Sequence, residues 1–459
     1  MQNDHVATDF CDGPISRRGF MQVGALALGG ITLSDVLAAR AANGSSTDTS
    51  VIMLYQHGGA SQFETYDVKP DAPTAVKSQF RPIATNVPGM DICEHFPLQA
   101  KMAHRFSLVR SLHHTVGIHS DGGIVVLTGK RPTKLDPTSQ SKSEHPDFGS
   151  VASKIRGMSH AAMPPYVAIP RQPYMTRPAY LGLHHSAFNT GDPGSKSFRV
   201  PQLRLNVGKD ARLLADRRRL LGRLDRLRAE IDATGNMSGT DQFRDLAFQM
   251  LTSPNAARAF DLDQESADLR KRYGHNTWGQ GCLLARRLAE SGVSVINIYF
   301  NTPKSGPEFT NWDDHPGNAT RPGHFAKYMA TRLPYMDQAL SALIDDIYTR
   351  SLDRRILVVV VGEFGRTPHM RYGPPNRSYG RDHWPNAYSA LLSGGGLRMG
   401  QVVGATNRKG EHPVQRPYTP QDLLATIYRH LGIDYNKTLV DYSGRPVHIL
   451  SKAKPIREL

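Results

Sequence analysis

Three stretches of the chain are apolar at nearly every position and then stop abruptly at polar residues. Val51 to Gln56 ends at His57-Gly58-Gly59. Val293 to Phe300 leads to Asn311-Trp312-Asp313-Asp314-His315, and Ile356 to Val361 ends at Gly362-Glu363-Phe364-Gly365-Arg366. Runs of this length without polar alternation predict strands buried on both faces, and such strands belong to parallel sheets covered by helices on either side. Tyr388 to Leu392 predicts a further strand, closed by a tight turn at Gly394-Gly395-Gly396.

Between the runs the apolar period lengthens to that of a helix. Ala211 to Glu230 places Leu213, Leu214, Leu220, Leu221, Leu224 and Leu227 on one face, and Tyr328 to Arg350 does the same with Leu333, Met336, Leu340, Leu343, Ile344 and Ile347. Thr419-Pro420-Gln421-Asp422 reads as a helix start and Gly432 as its stop. His113 to Gly123 reads as a loop entering a helix. Thr133 to Pro146 and Gly182 to Pro201 read as irregular segments. The expectation is one α/β domain over residues 51–459 with a mostly parallel central sheet, helices on both faces and a mainly helical insertion at 202–275.

The first 50 residues follow a different pattern. Ser16-Arg17-Arg18-Gly19-Phe20-Met21 precedes a mild apolar run, Val23 to Leu33, and then Ala39-Arg40-Ala41. This resembles a twin-arginine signal peptide over residues 1–42, followed by a polar linker at 43–50. It implies the export machinery as a partner and a periplasmic or secreted location. The apolar run is too short for a transmembrane span.

The chain has 459 residues and a formal charge of +15. Residues 1–41 hold three arginines against four aspartates, so the remainder carries +16. This favours anionic partners. The basic residues are dispersed apart from one Arg-rich helical stretch, and no zinc-finger or RNA-recognition pattern is present, which argues against nucleic acid. Three cysteines make no disulfide framework; Cys11 lies in the leader, and Cys93 and Cys282 read as buried thiols.

In an open parallel sheet the ligand site lies beyond the carboxyl ends of the strands. Here those ends carry His57, Asp313, His315 and Glu363, with His383 further on, a mixture of imidazole and carboxylate suited to a divalent ion. Arg366 and Arg381 stand in the same clusters, as anion forks or as structural ion-pair partners. Ser120, beside His119, is a candidate nucleophile.

Taken together, His57-Gly58-Gly59-Ala60-Ser61-Gln62, Trp312-Asp313-Asp314-His315, Gly362-Glu363-Phe364-Gly365-Arg366-Thr367-Pro368 and Gly380-Arg381-Asp382-His383-Trp384-Pro385 resemble the secreted family called domain of unknown function 1501. The resemblance runs from about Val51 to Asp434. That family is in turn similar to the sulfatase-like branch of the alkaline phosphatase superfamily. The resemblance implies an alkaline-phosphatase-like α/β sandwich and a divalent metal ion (Zn, Mn or Ca) held by His57, Asp313, His315, Glu363 and His383. Arg366, Arg381, His119 and Ser120 would stand on the catalytic side. Thr128-Gly129-Lys130 looks like the sulfatase Thr-Gly-Arg string, and counting back places His119 where the sulfatase nucleophile would be, so formylglycine chemistry is not expected. The implied function is hydrolysis of a phosphate or sulfate ester, small or polysaccharide. The alternative is a non-catalytic binder of anionic polysaccharide or an envelope partner on a degenerate enzyme fold.

Overall fold

The computed structural model describes residues 48–158, 163–200, 253–306, 311–316, 324–373 and 378–459. Among them an eight-stranded sheet contains β1 (Ser50–Gln56), β2 (Phe106–Leu112), β3 (Tyr166–Ile169), β4 (Phe188–Asn189), β5 (Val295–Tyr299), β6 (Ile356–Gly362), β7 (Tyr388–Gly394) and β8 (Val402–Val403). Their spatial order is β8-β2-β7-β6-β1-β5-β3-β4. β1 lies at the centre, parallel to β5 on one side and β6 on the other. β7 alone runs against its neighbours β2 and β6.

The absence of alternation in β1 has the expected cause: every one of its residues is buried. Val51, Met53 and Tyr55 pack into one apolar cluster with α1 (His119–Thr128), α2 (Phe148–Arg156) and α5 (Pro420–His430). Ile52 and Leu54 pack into the other, with α3 (Thr277–Glu290) and α4 (His324–Thr349). Helices therefore cover both faces, as the apolar runs predict. Local signals set the helix ends: Thr419 and Asp422 form a reciprocal capping box at the start of α5, and Asn276 Oδ1 accepts the Trp278 and Gly279 amides at the start of α3.

The strands not expected from sequence have physical reasons to be missed. β2 is interrupted by Ser107, Arg110 and Ser111, and β3 is only four residues long. The segment Gly182 to Pro201, expected to be irregular, contributes the two-residue edge strand β4, paired parallel to β3. The leader and the helix expected at 211–230 lie outside the described residues. The described end of the expected insertion is helical, with short helices at Pro254–Phe260 and Ala267–Tyr273. Cys93 and Cys282 are free and buried, and burial pushes the Cys93 thiol up to about 12. Among the described residues no helix is long and apolar enough to cross a membrane.

Leu54 is fully buried in the larger apolar cluster. Leu54→Ala is expected to lower unfolding free energy by about 2–5 kcal/mol in urea titrations; a loss under about 1 kcal/mol would show that this face is not close-packed.

Candidate metal centre

Register brings the site together before any side chain is considered. Gln56 pairs with Gly362, so His57 and Glu363 leave the sheet side by side. The Gly58 amide donates to Glu363 Oε1 at 2.7 Å, and the Trp312 amide donates to the His57 carbonyl at 3.0 Å. Gly58 has φ +110°, and a Cβ there would stand 2.3 Å from the Asp313 nitrogen. Glycine is what lets the loop after β1 run against the 312–313 backbone. Trp312 stacks on Trp278 at 5.7 Å and 6°, while the Arg332 guanidinium from α4 lies 4.5 Å over its ring and pairs with the buried Asp314. These contacts fix the loop that carries Asp313 and His315. His383 comes from a short ribbon in which it pairs with Arg366, and His119 is the first residue of α1.

Four of these side chains meet. His119, Asp313, His315 and His383 each offer one ligand atom, and those atoms lie within 4.8 Å of one another. Asp313 Oδ1 is 3.2 Å from His119 Nε2, 3.0 Å from His315 Nε2 and 3.3 Å from His383 Nε2. The other nitrogen of each ring is already held. His119 Nδ1 donates to Glu363 Oε1 at 2.8 Å, His315 Nδ1 to Asp382 Oδ1 at 3.0 Å and His383 Nδ1 to the Gly117 carbonyl at 2.7 Å.

These partners can only accept, so each Nδ1 carries the hydrogen and each neutral ring turns a lone pair inward. His315 and His383 then bring two such nitrogens to 2.9 Å from each other. Lone pairs at that separation repel unless a cation lies between or beside them. Three imidazole nitrogens and one carboxylate oxygen, with every outer nitrogen anchored, fit a divalent metal. The side chains are 16% (His119), 30% (Asp313), 33% (His315) and 19% (His383) exposed, so one side of the group faces solvent.

The electrostatics agree. Burial opposes ionisation of Asp313, but the Arg366 guanidinium and the three imidazoles outweigh it and hold the carboxyl well below its usual range. Burial likewise opposes charge on Glu363, yet His57 and His119 bring it down to about 2. Despite its own burial, His119 is raised to about 9 by hydrogen bonds to Asp313 and Glu363. Burial lowers His383 to about 4. Without a metal, a proton on His119 supplies the cation that the carboxylates require.

Of the ligands expected from sequence, Asp313, His315 and His383 are in this group, and His57 and Glu363 lie beside it. Glu363 is fully buried and orients His119, while His57 Nδ1 stands 3.5 Å from Glu363 Oε1. His119, expected on the catalytic side, lies within the group that could hold a metal ion. Ser120 is corrected: it is fully buried, and both nitrogens of His119 are engaged elsewhere, so the hydroxyl has neither access to the cleft nor His119 as a base.

Arg366 and Arg381 are corrected as anion forks. Both are fully buried. Arg366 is tied to Gly59, Trp312 and Arg381 carbonyls and to Asp313; Arg381 grips Glu64 with Nε and Nη2 and donates to the Thr367, Pro368, Val76 and Lys77 carbonyls. Asp382, which orients His315, is a residue that sequence reasoning missed, although it adjoins His383 in the Gly-Arg-Asp-His-Trp string.

A family model described as "Protein of unknown function (DUF1501)" matches residues 48–459. No curated protein matches the chain. Solved structures that align with it include the PsFucS1 sulfatase from Pseudoalteromonas sp., 12% identical with a TM-score of 0.39, covering 87% of this chain and 70% of that one. An alkaline phosphatase superfamily protein from Vibrio parahaemolyticus aligns at 12% identity and TM-score 0.38, covering 84% and 67%. The lipoteichoic acid synthase LtaP from Listeria monocytogenes aligns at 9% identity and TM-score 0.36, covering 90% and 80%.

The raised His119 pKa makes a stability prediction for metal-free protein. Its stabilisation is complete below the unfolded value of 6.5 and is lost as pH rises through about 9. Melts in chelator are expected to show a loss of up to about 3 kcal/mol over that window, absent in His119→Gln. A wild-type curve that is flat there would refute the imidazolium.

Proposed function

The chain belongs to the DUF1501 family, and from that footing we propose that it is an exported, metal-dependent hydrolase of phosphate or sulfate esters. The observation that carries this reading is the convergence of three imidazole Nε2 atoms on Asp313 Oδ1, at 3.0–3.3 Å, each ring anchored through its Nδ1. Tetrahedral ligands about 2.0–2.1 Å from a zinc ion stand about 3.3 Å apart, so the spacing suits such an ion. Three nitrogens and a carboxylate favour Zn²⁺ or Mn²⁺ over Ca²⁺, which takes six to eight oxygens. A divalent ion held there supplies Lewis acidity toward an ester oxygen or a water molecule.

The chain's own residues do the rest. Arg366 holds Asp313 ionised and immobile, Glu363 and Asp382 orient His119 and His315, and the Gly117 carbonyl orients His383. The exposed side of the group admits substrate. With Ser120 buried and both His119 nitrogens engaged by Glu363 and Asp313, we assign water as the nucleophile. Export rests on the Arg17-Arg18 leader, and a twin-arginine route, which carries folded proteins, suits loading of the metal in the cytoplasm. The charge of +16 beyond the leader favours an anionic ester, small or polymeric.

Protein expressed without residues 1–41 is expected to hold about one Zn²⁺ or Mn²⁺ per chain by elemental analysis. It should cleave an aryl phosphate or an aryl sulfate, and His315→Ala and His383→Ala should each lose both metal and turnover by at least tenfold. Metal-loaded protein inert on both esters would end the hydrolase reading. Salt-sensitive retention on a sulfated polymer, unchanged by Glu363→Ala and His383→Ala, would then favour a polysaccharide binder.

A further inference from the structure

Burial of Arg366 and Arg381 leaves the proposed ester without an arginine for its negative charge. The aromatic wall beside the metal group supplies another. His57, against Glu363, is flanked by Tyr174 edge-on at 5.6 Å and by Tyr299 at 5.2 Å. Over these two tyrosines lie two exposed cations. The Arg171 guanidinium sits 5.8 Å from the Tyr299 ring centre, and Lys142 Nζ sits 5.2 Å from that of Tyr174 while donating to the Tyr174 carbonyl.

Among the described residues Arg171 has no carboxylate partner. Asp121 and Asp136 lie on the Tyr174 side, where Asp121 Oδ2 accepts the Asp136 amide at 3.0 Å and Asp136 accepts the Thr138 and Gln140 amides at 2.9 and 3.0 Å. A ring beneath a guanidinium restrains it without neutralising it, so its N–H fork stays available to an oxyanion. The charge of Arg171 also reaches inward, opposing protonation of His57 and favouring ionisation of Tyr299.

We propose that Arg171 on Tyr299, together with Lys142 on Tyr174, is the anion-recognising wall of the centre and positions a sulfate or phosphate oxyanion of the substrate against the His119, Asp313, His315 and His383 group. The assignment rests on the hydrolase reading and deepens it. Arg171 is a specificity residue, set by the Tyr299 ring rather than by a salt bridge.

The test is calorimetric titration of zinc-loaded protein with inorganic phosphate and with sulfate, zinc content being measured for each variant. Arg171→Ala is expected to weaken binding of at least one anion by about tenfold or more, Arg171→Lys to recover some of the loss, and Lys142→Ala to lose less. Arg131→Ala, an exposed arginine beyond the far end of α1, should bind as the wild type does, and zinc content should be equal throughout. Unchanged anion affinity in zinc-loaded Arg171→Ala, or a zinc-loaded wild type that binds neither anion, would overturn the wall and leave the metal centre standing. A wild type that takes up no zinc or manganese would remove the centre and the wall together.

Discussion

The arrangement depends on one buried cation. The Arg366 guanidinium, fully excluded from solvent, donates from Nε to the Gly59 carbonyl at 2.9 Å, from Nη1 to the Arg381 carbonyl at 3.0 Å, and from Nη2 to the Trp312 carbonyl at 3.1 Å and Asp313 Oδ1 at 2.8 Å. It also meets the Gly58 carbonyl. One side chain thus ties together the loop after β1, the loop carrying Asp313 and His315, and the segment carrying His383. Burying a charge costs several kcal/mol, and only dense, well-directed acceptors offset it. The acceptors here are mostly backbone carbonyls, so the guanidinium stabilises a particular path of three loops.

Arg381 has a similar role farther from the metal group. Its guanidinium pairs with the buried carboxylate of Glu64 and lies 4.4 Å over the Phe63 ring. Thr367 and Asp382 interlock the two strings: the Thr367 amide donates to the Asp382 carbonyl at 2.9 Å, and the Asp382 amide donates to Thr367 Oγ1 at 3.0 Å. The Glu-Phe-Gly-Arg-Thr-Pro and Gly-Arg-Asp-His-Trp strings together form a scaffold that delivers Asp382 and His383 to the site. Their arginines look like anion ligands in sequence because guanidinium suits carbonyls and carboxylates of the protein as well as oxyanions of a substrate.

Electrostatics then give the cluster its character. Arg366 beneath Asp313 keeps the carboxyl ionised, and Glu363 behind His119 adds a second negative charge. Two carboxylates facing three imidazoles attract a cation into the space between them. A proton on His119 meets that demand, and a divalent ion held there would also engage the inward lone pairs of His315 and His383.

Much of this was legible in the linear chain. The unbroken apolar runs of β1 and β6 announced a doubly covered parallel sheet because burial on both faces removes polar alternation, and the polar residues at their ends marked the edge where a site would form. Asp313, His315 and His383 stood out as candidate metal ligands for that reason, and all three lie in the group that could hold an ion. The strands β2 and β3 were not, since short or serine-broken strands are held by neighbours rather than by their own pattern. Hydropathy thus determined the layers and the edge of the sheet that carries the chemistry. Only the tertiary structure decided that His119 joins the Asp313, His315 and His383 group, that Glu363 stands behind it, and that Arg366 and Arg381 face inward. Those roles depend on which atoms lie within about 3 Å across long separations in the chain. Residue type and spacing contain no such distances until the parallel register and the Gly58 turn bring the loops together.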